Sequence, residues 1–209
     1  MNIMFGKELS HMLNKSNYSK TLIKDVMDNS ESEYWEDAVK EWKIVDVEED
    51  ECLEESCICG KEHLRYLFTI KNQRNGNKLY PIGSCCIKKF GRNDLKLEVD
   101  CKEQLFKLLH AVEDNQYLKL SSEFFSRKLL RYLLDVGAFK PNQYNNYNPK
   151  NDYIFMLEMF NKRTRTDKQN NKATAIILGS IKPFLQTELE GKIKNRELLG
   201  TDRQTKCVL

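Results

Sequence analysis

The 209 residues suit one large domain or two small ones, and with 40% hydrophobic and 31% charged residues the chain can bury a core rather than stay disordered. No run of eighteen apolar residues offers a membrane span and the N-terminus lacks the basic-then-apolar pattern of a secretory leader, so the expected setting is cytoplasmic, without membrane contact. The net charge of +3 conceals an uneven distribution: residues 1–55 carry 6 Lys/Arg against 15 Asp/Glu and the rest of the chain is basic, a balance suited to a phosphate-bearing partner.

In chain order, apolar residues at Leu9, Met12 and Leu13, then at Leu22, Ile23, Val26 and Met27, have the three-and-four spacing of two short amphipathic helices. Asp28-Asn29-Ser30 offers a stop, after which Tyr34, Trp35, Ala38, Val39 and Trp42 extend helical spacing to residue 42. Ile44, Val45 and Val47 predict a strand because β-branched side chains fit a pleated surface. The acidic run Glu48 to Glu55 reads as a solvated loop. Leu64 to Ile70 and Lys78-Leu79-Tyr80 are β-prone runs on either side of Asn75-Gly76, a pair that tolerates the positive φ of a tight hairpin. Pro81 to Ser84 closes the second run, and Ser84 is expected to cap a short helix, Cys85 to Phe90.

From about residue 101 the pattern is helical. Leu105, Leu108, Leu109 and Val112 predict one helix; Phe124, Phe125, Leu129, Leu130, Leu133 and Leu134 predict a second, capped by Ser121 or Ser122 and stopped at Gly137. An Asn/Tyr/Pro-rich loop, Lys140 to Lys150, precedes a third helix marked by Phe155, Met156, Met159 and Phe160. Thr166-Asp167-Lys168-Gln169 has the form of a capping box. The helix it opens runs through Ala173, Ile176 and Ile177 toward Pro183, where it must kink or end.

Five of the seven cysteines fall between Cys52 and Cys86. An odd count without an export signal argues against a disulfide framework and for metal. Cys57-Ile58-Cys59-Gly60-Lys61-Glu62-His63 precedes the predicted hairpin, and Gly83-Ser84-Cys85-Cys86-Ile87 follows it. Structural zinc takes four thiolate or imidazole ligands in a tetrahedron, and a hairpin returns the chain so that a ligand after it meets a pair before it. Gly60 permits the turn that points backbone amides at the sulfurs. The candidate zinc ligands are Cys57, Cys59, His63 and Cys86, with Cys52, Cys85 and Cys101 as rivals for the fourth place. One residue, instead of the usual two to four, separates Cys57 from Cys59. The plain alternative is a set of buried free thiols, since cysteine is among the most buried residue types.

The string Trp42 … Cys57-x-Cys59-Gly60 … Leu64-x-Tyr66-x-Phe68-x-Ile70-x-Asn72 … Asn75-Gly76 … Leu79-x-Pro81-Ile82-Gly83-Ser84-x-Cys86-Ile87 … Phe90 resembles a little-characterised family carried by phages, plasmids and other mobile elements of Firmicutes-type bacteria. The resemblance is clearest over residues 42–90 and extends weakly to residues 125–130, 168–169 and 183–185. It implies Cys57, Cys59 and Cys86 as ligands, leaves the fourth open and carries no established activity. Its mobile-element setting implies an accessory or anti-defence role, such as an anti-CRISPR-like inhibitor.

Basic side chains form three groups: Lys88, Lys89 and Arg92; Arg127, Lys128 and Arg131; and Lys162, Arg163, Arg165, Lys168 and Lys172. Each can meet phosphate, and Tyr144 and Tyr147 can stack on bases; solvated helix faces and a polar loop are the plain alternative. Trp35, Trp42 and the Phe and Met stripes read as core. No Walker loop, Gly-x-Ser-x-Gly or His-Glu-x-x-His occurs, and the three histidines, His11, His63 and His110, fall in no catalytic motif, so no enzyme is expected.

The fold expected is α+β: a small zinc-binding β-hairpin module flanked by helices, with a helical C-terminal half. The divisions expected are an N-terminal helical segment (1–41), a zinc-knuckle β module (42–100), a helical C-terminal domain (101–199) and a tail (200–209). The function expected is that of a zinc-binding accessory protein that meets nucleic acid or a nucleoprotein complex. The alternatives are an inhibitor of a host defence effector that works by protein–protein contact, with the acidic stretch Asp46 to Glu55 mimicking a phosphate backbone, and a metal-dependent nuclease.

Overall fold

The computed structural model describes residues 17–188 and Glu190. The expected helix at Leu9 to Leu13, Leu189, with which Leu185 is expected to continue the helical pattern, and the 200–209 tail lie outside them. The fold is α+β, with a three-stranded antiparallel sheet among helices. The chain forms two compact units that divide after Val99.

In the first unit, α1 (Asn17–Asp28) and the single turn α2 (Trp35–Ala38) lead through a 3-10 turn, Val39–Glu41, into β1 (Trp42–Glu49). The strands β2 (Tyr66–Asn72) and β3 (Lys78–Ile82) complete the sheet in the order β1-β2-β3, and α3 (Ser84–Lys88) follows. Leu22, Val26, Trp35, Val39 and Trp42 share one buried cluster with Phe68, Ile70, Ile82, Ile87 and Phe90. Burying a side chain of this size contributes about 1.5–3 kcal/mol. Trp35 meets Phe90 edge to face at 5.6 Å, and the fully buried Trp42 donates its indole N–H to Ser30 Oγ at 2.9 Å.

The helical spacing expected through Trp42 breaks at Glu41, and a buried carboxylate explains the break. Glu41 accepts the N–H groups of Glu31 and Ser32 at 2.9 Å each, the Ser32 hydroxyl at 2.6 Å and the Asn72 amide at 2.6 Å, and pairs with Arg74 at 3.3 Å. Burial, the largest influence on this carboxyl, opposes ionisation; the bonds from Ser32, Glu31 and Asn72 outweigh it and hold the pKa at about 2.

The acidic run is a solvated loop only in part: beyond Glu49 it is irregular and exposes Glu51 and Glu54, but it does not begin as a loop and Asp50 is turned inward. Its first residues extend β1 to Glu49, where Arg65 pairs with the inward-facing carboxylate at 2.8 Å. Asp50 is buried and accepts the N–H groups of Cys52, Glu54 and Glu55 at 3.1, 2.9 and 2.9 Å. The hairpin sits where Asn75-Gly76 predicts it, but five residues connect the strands and Gly76 supplies the positive φ, +81°. Buried Asn72 organises this turn, its side-chain oxygen accepting the N–H groups of Arg74 and Asn75. Gly83, without a side-chain bond, occupies the N-cap of α3 in place of the expected Ser84.

The helix α4 (Asn93–Glu113) runs through the division between the units. The second unit continues with α5 (Arg127–Asp135), a 3-10 turn Gln143–Asn145, α6 (Pro149–Asn161) and α7 (Asp167–Ile176). Leu129, Leu130, Leu133, Met156, Met159, Ile176 and Ile177 are buried at helical spacing. Ser126, not Ser121 or Ser122, caps α5, accepting the Leu129 N–H at 3.1 Å, so Phe124 and Phe125 precede the helix. Gly137, at φ +76°, follows its end as expected. Thr166 and Gln169 form the expected capping box. Near Pro183 the chain widens into a π turn, Ile177–Ile181, and helix resumes over 182–188. The wider turn accommodates a residue that cannot donate to the ladder. Among the described residues no helix is long and apolar enough to cross a membrane.

Candidate metal centre

Cys57 and Cys59 lie on a tight turn. Gly60 N–H donates to Cys57 O at 2.7 Å and Cys57 N–H to Lys61 O at 2.8 Å, and Gly60 takes φ +91°, a left-handed conformation that costs glycine little. Ile58 N–H donates to Pro81 O at 2.9 Å, fixing this turn against β3. Because β3 leads through Gly83 directly into α3, the second residue after its N-terminus, Cys86, arrives at the same place.

The three sulfurs converge. Cys86 Sγ stands 3.7 Å from Cys57 Sγ and 3.4 Å from Cys59 Sγ. All three residues are buried and their ligand atoms form one group within 4.8 Å, so the cluster can hold a metal ion. A disulfide requires about 2.0 Å between sulfurs. Thiolates on tetrahedral zinc, each about 2.3 Å from the metal, stand roughly 3.8 Å apart, so the spacing here fits ligation and not bridging.

Backbone amides complete the surroundings. Gly83 N–H donates to Cys57 Sγ at 3.3 Å, and the amides of Cys59 and Lys61 donate to the sulfurs of Cys57 and Cys59. Gly83 also leaves room: a Cβ there would meet Leu64 Cδ2 at 3.0 Å and Cys57 Sγ at 4.0 Å. The bond from Cys86, ahead of these amides, draws the Cys57 thiol down to about 5 against the opposing effect of burial. That same bond pushes Cys86 up, while burial raises Cys59. The neighbouring sulfur and amide donors thus favour a thiolate within the cluster. Thiolate sulfur is the ligand that zinc and other soft divalent ions prefer.

His63 stands outside the three-sulfur group, exposed, on the wall of a cleft that it shares with Cys57, Cys85 and Cys86. Its Nδ1 lies 2.9 Å from Leu53 O, and both residues take left-handed backbone angles, φ +60° and +55°. An imidazole anchored to a carbonyl through Nδ1 has Nε2 as its ligand-capable nitrogen. Of the rival cysteines, Cys52 is half-buried, Cys85 is exposed beside Cys86 and Cys101 is buried in α4; none belongs to the group.

The basic candidates separate by environment. Arg92 is turned inward: its guanidinium donates to the carbonyls of Val39 and Trp42 at 2.9 and 2.6 Å and pairs with Asp94. Lys89 reaches Ser19 Oγ at 3.3 Å, and Lys88 is half-buried. In the second unit, Arg127 donates to Asn161 Oδ1 at 2.7 Å, which sets the start of α5 beside Lys162 and Arg163 at the end of α6. Lys162 in turn reaches Gln169 Oε1 at 3.3 Å. Lys128 and Lys168 are exposed, Arg165 is half-buried, Arg131 pairs with Asp135 at 3.1 Å and Lys172 lies 4.3 Å over the Phe155 ring. Two groups separate in sequence thus meet in the fold through Asn161.

Sequence reasoning missed Gly83 as an amide donor to Cys57; its place directly before a cysteine-bearing helix turn is the signal that would have found it. The chain matches no protein-family model, no curated protein and no solved structure.

Proposed function

We propose that this chain is a zinc-binding accessory protein of a mobile element, in which zinc fastens the sheet module and the basic second unit contacts nucleic acid or a nucleic-acid-handling complex. The observation that carries the zinc reading is the convergence of the Cys57, Cys59 and Cys86 sulfurs at tetrahedral spacing. His63 is the fourth ligand in this reading, because the Leu53 carbonyl fixes its tautomer as metal-bound imidazoles require. The role of the metal is structural in this reading: four protein ligands close the coordination shell and leave the ion to hold the fold. The nucleic-acid part is supported by the exposed cations gathered where α5, α6 and α7 meet, and the mobile-element part by the sequence string over residues 42–90.

Elemental analysis of the purified chain tests the first part. One zinc per chain is expected, lost in Cys86→Ser, and held about 10–100-fold more weakly in His63→Ala. A folded chain purified without metal, or a Cys86→Ser variant with full zinc, removes the ligand set. Titration against labelled oligonucleotides at several salt concentrations tests the second part. Affinity should fall steeply with salt and the slope should shrink in a variant lacking Lys162, Arg163 and Lys168.

A further inference from the structure

We infer that the loop between α5 and α6 receives the unpaired bases of a single strand, with Tyr144 and Tyr147 as stacking surfaces. The inference rests on the nucleic-acid reading above and narrows it to single-stranded ligands. Tyr144 and Tyr147 are 83% and 74% exposed, more than any other large hydrophobic side chain described. A tyrosine ring ordinarily covers its apolar body and leaves only the hydroxyl in water, so two bare rings three residues apart call for a ligand face.

The loop beneath them is braced. Asn145 is buried, and its amide donates to Asp152 Oδ2 at 2.7 Å and to Lys140 O at 2.9 Å. Asn142 N–H donates to Asn145 Oδ1 at 2.9 Å, while Asn142 Oδ1 accepts the N–H groups of Tyr144 and Asn145 at 2.8 and 3.2 Å. Tyr147 N–H closes onto Asn142 O at 2.8 Å. Asn146 and Tyr147 both take φ +55°, which asparagine tolerates and tyrosine ordinarily avoids. Phe139, buried edge-on to Tyr153 at 6.3 Å, anchors the loop's start. The rings are therefore presented on ordered backbone, and docking a ligand there orders little further chain.

Charge selects the ligand. From residue 136 to 151 the charged side chains are Lys140 and Lys150, both exposed. The nearest carboxylate on the α6 side, Asp152, is buried and engaged by Asn145; on the α5 side Asp135 pairs with Arg131. Bare aromatic rings, exposed amides at Gln143 and Asn146, and two exposed lysines match bases and phosphates; the large aliphatic side chain that the loop exposes, Val136, lies at its start, eight residues before Tyr144. A duplex hides its base faces in its own stack, so the matching form is a single strand.

The test uses the full chain as purified and fluorescence anisotropy with a labelled twelve-nucleotide oligothymidylate and a duplex of the same length. The single strand should bind at least about tenfold more tightly than the duplex, and Tyr144→Ala and Tyr147→Ala should each weaken it about tenfold. Tyr144→Phe and Tyr147→Phe keep the ring and should keep the affinity, which separates stacking from any loss of loop structure. The salt slope should be unchanged in the alanine variants, which remove no phosphate contact, and reduced by about one in Lys150→Gln. Alanine variants that bind as the parent does, or equal affinity for duplex and single strand, overturn this inference and leave the nucleic-acid reading standing. Absence of binding to either probe by the parent chain overturns both.

Discussion

In the unit that holds the sheet, residues 17–99, polar groups sit at the structural centre: three thiols join a turn to a helix, and Glu41 joins the backbone of residues 31–32 to Asn72 on β2. In the helical unit, the interior is a run of leucines, methionines and isoleucines, and polar bonds work mainly at helix ends and in the Asn145 loop. The contrast follows from what each architecture can bury. A small three-stranded sheet offers limited apolar area and leaves strand ends, turns and one-turn helices to be fastened by other means. Helices satisfy their own backbone and need only an apolar stripe to pack. The first unit should therefore be sensitive to single polar changes, and the second to changes in apolar volume.

Metal removal is the largest expected effect. Structural zinc contributes on the order of 10 kcal/mol in small modules, comparable to the whole stability of a domain. Adding a strong chelator, or making Cys57→Ser, should strip amide protection from the knuckle turn, β2, β3 and α3 in hydrogen exchange. The amides of α5, α6 and α7 should keep theirs. Equal loss of protection in both regions would show that the metal is not what sets them apart.

Glu41 gives the next effect. Glu41→Gln exchanges an acceptor oxygen for a donor amide within a cluster of donors, and should cost about 3 kcal/mol at neutral pH. The carboxyl ionises at about 2 when folded, against an ordinary value of 4.5. A lowered folded pKa stabilises above the ordinary value and loses that contribution as pH falls from about 4.5 toward 2. The stability difference between parent and Glu41→Gln, read by urea unfolding through that window, should shrink with acidity. A difference that stays constant with pH would mean that the carboxylate is not the charged hub described. Taking the difference between the two chains cancels whatever acid does to the thiols, which both retain.

The sequence was most readable where structure is set by near neighbours. The Leu and Met periodicity of α5 and α6, the Thr166 box and the glycine after α5 all work within one or two turns of chain. The convergence of Cys57, Cys59 and Cys86 was readable for a related reason: a hairpin returns the chain by a short, predictable path. Glu41, Asp50 and Asn72 were not, because nothing local tells a buried carboxylate or amide from a solvated one. Glu41 is buried by partners nine to thirty-three residues away. Caps slipped by one residue at Gly83 and by four or five at Ser126, since several neighbouring residues could serve and packing chose among them. The bond between His63 and Leu53 depends on two left-handed residues ten apart, for which neither side chain is a signal.

The smallest expected effect is at the start of α7. Thr166 Oγ1 accepts the Gln169 N–H at 3.4 Å, a long bond, while Gln169 Oε1 accepts the Thr166 N–H at 3.1 Å and is shared with Lys162. Thr166→Ala removes the weaker half of the box and leaves the stronger, and the site is exposed, so water can replace the lost acceptor. The cost should be at the low end for an N-cap, about 0.5–1 kcal/mol, read by urea unfolding of the helical unit. Setting this beside Glu41→Gln sharpens the contrast between the units, since each substitution removes a side-chain acceptor from backbone donors, one in the interior and one at a solvated helix end. If the two cost the same, burial of the acceptor is not what makes the sheet unit depend on its polar groups, and the metal alone must carry the difference.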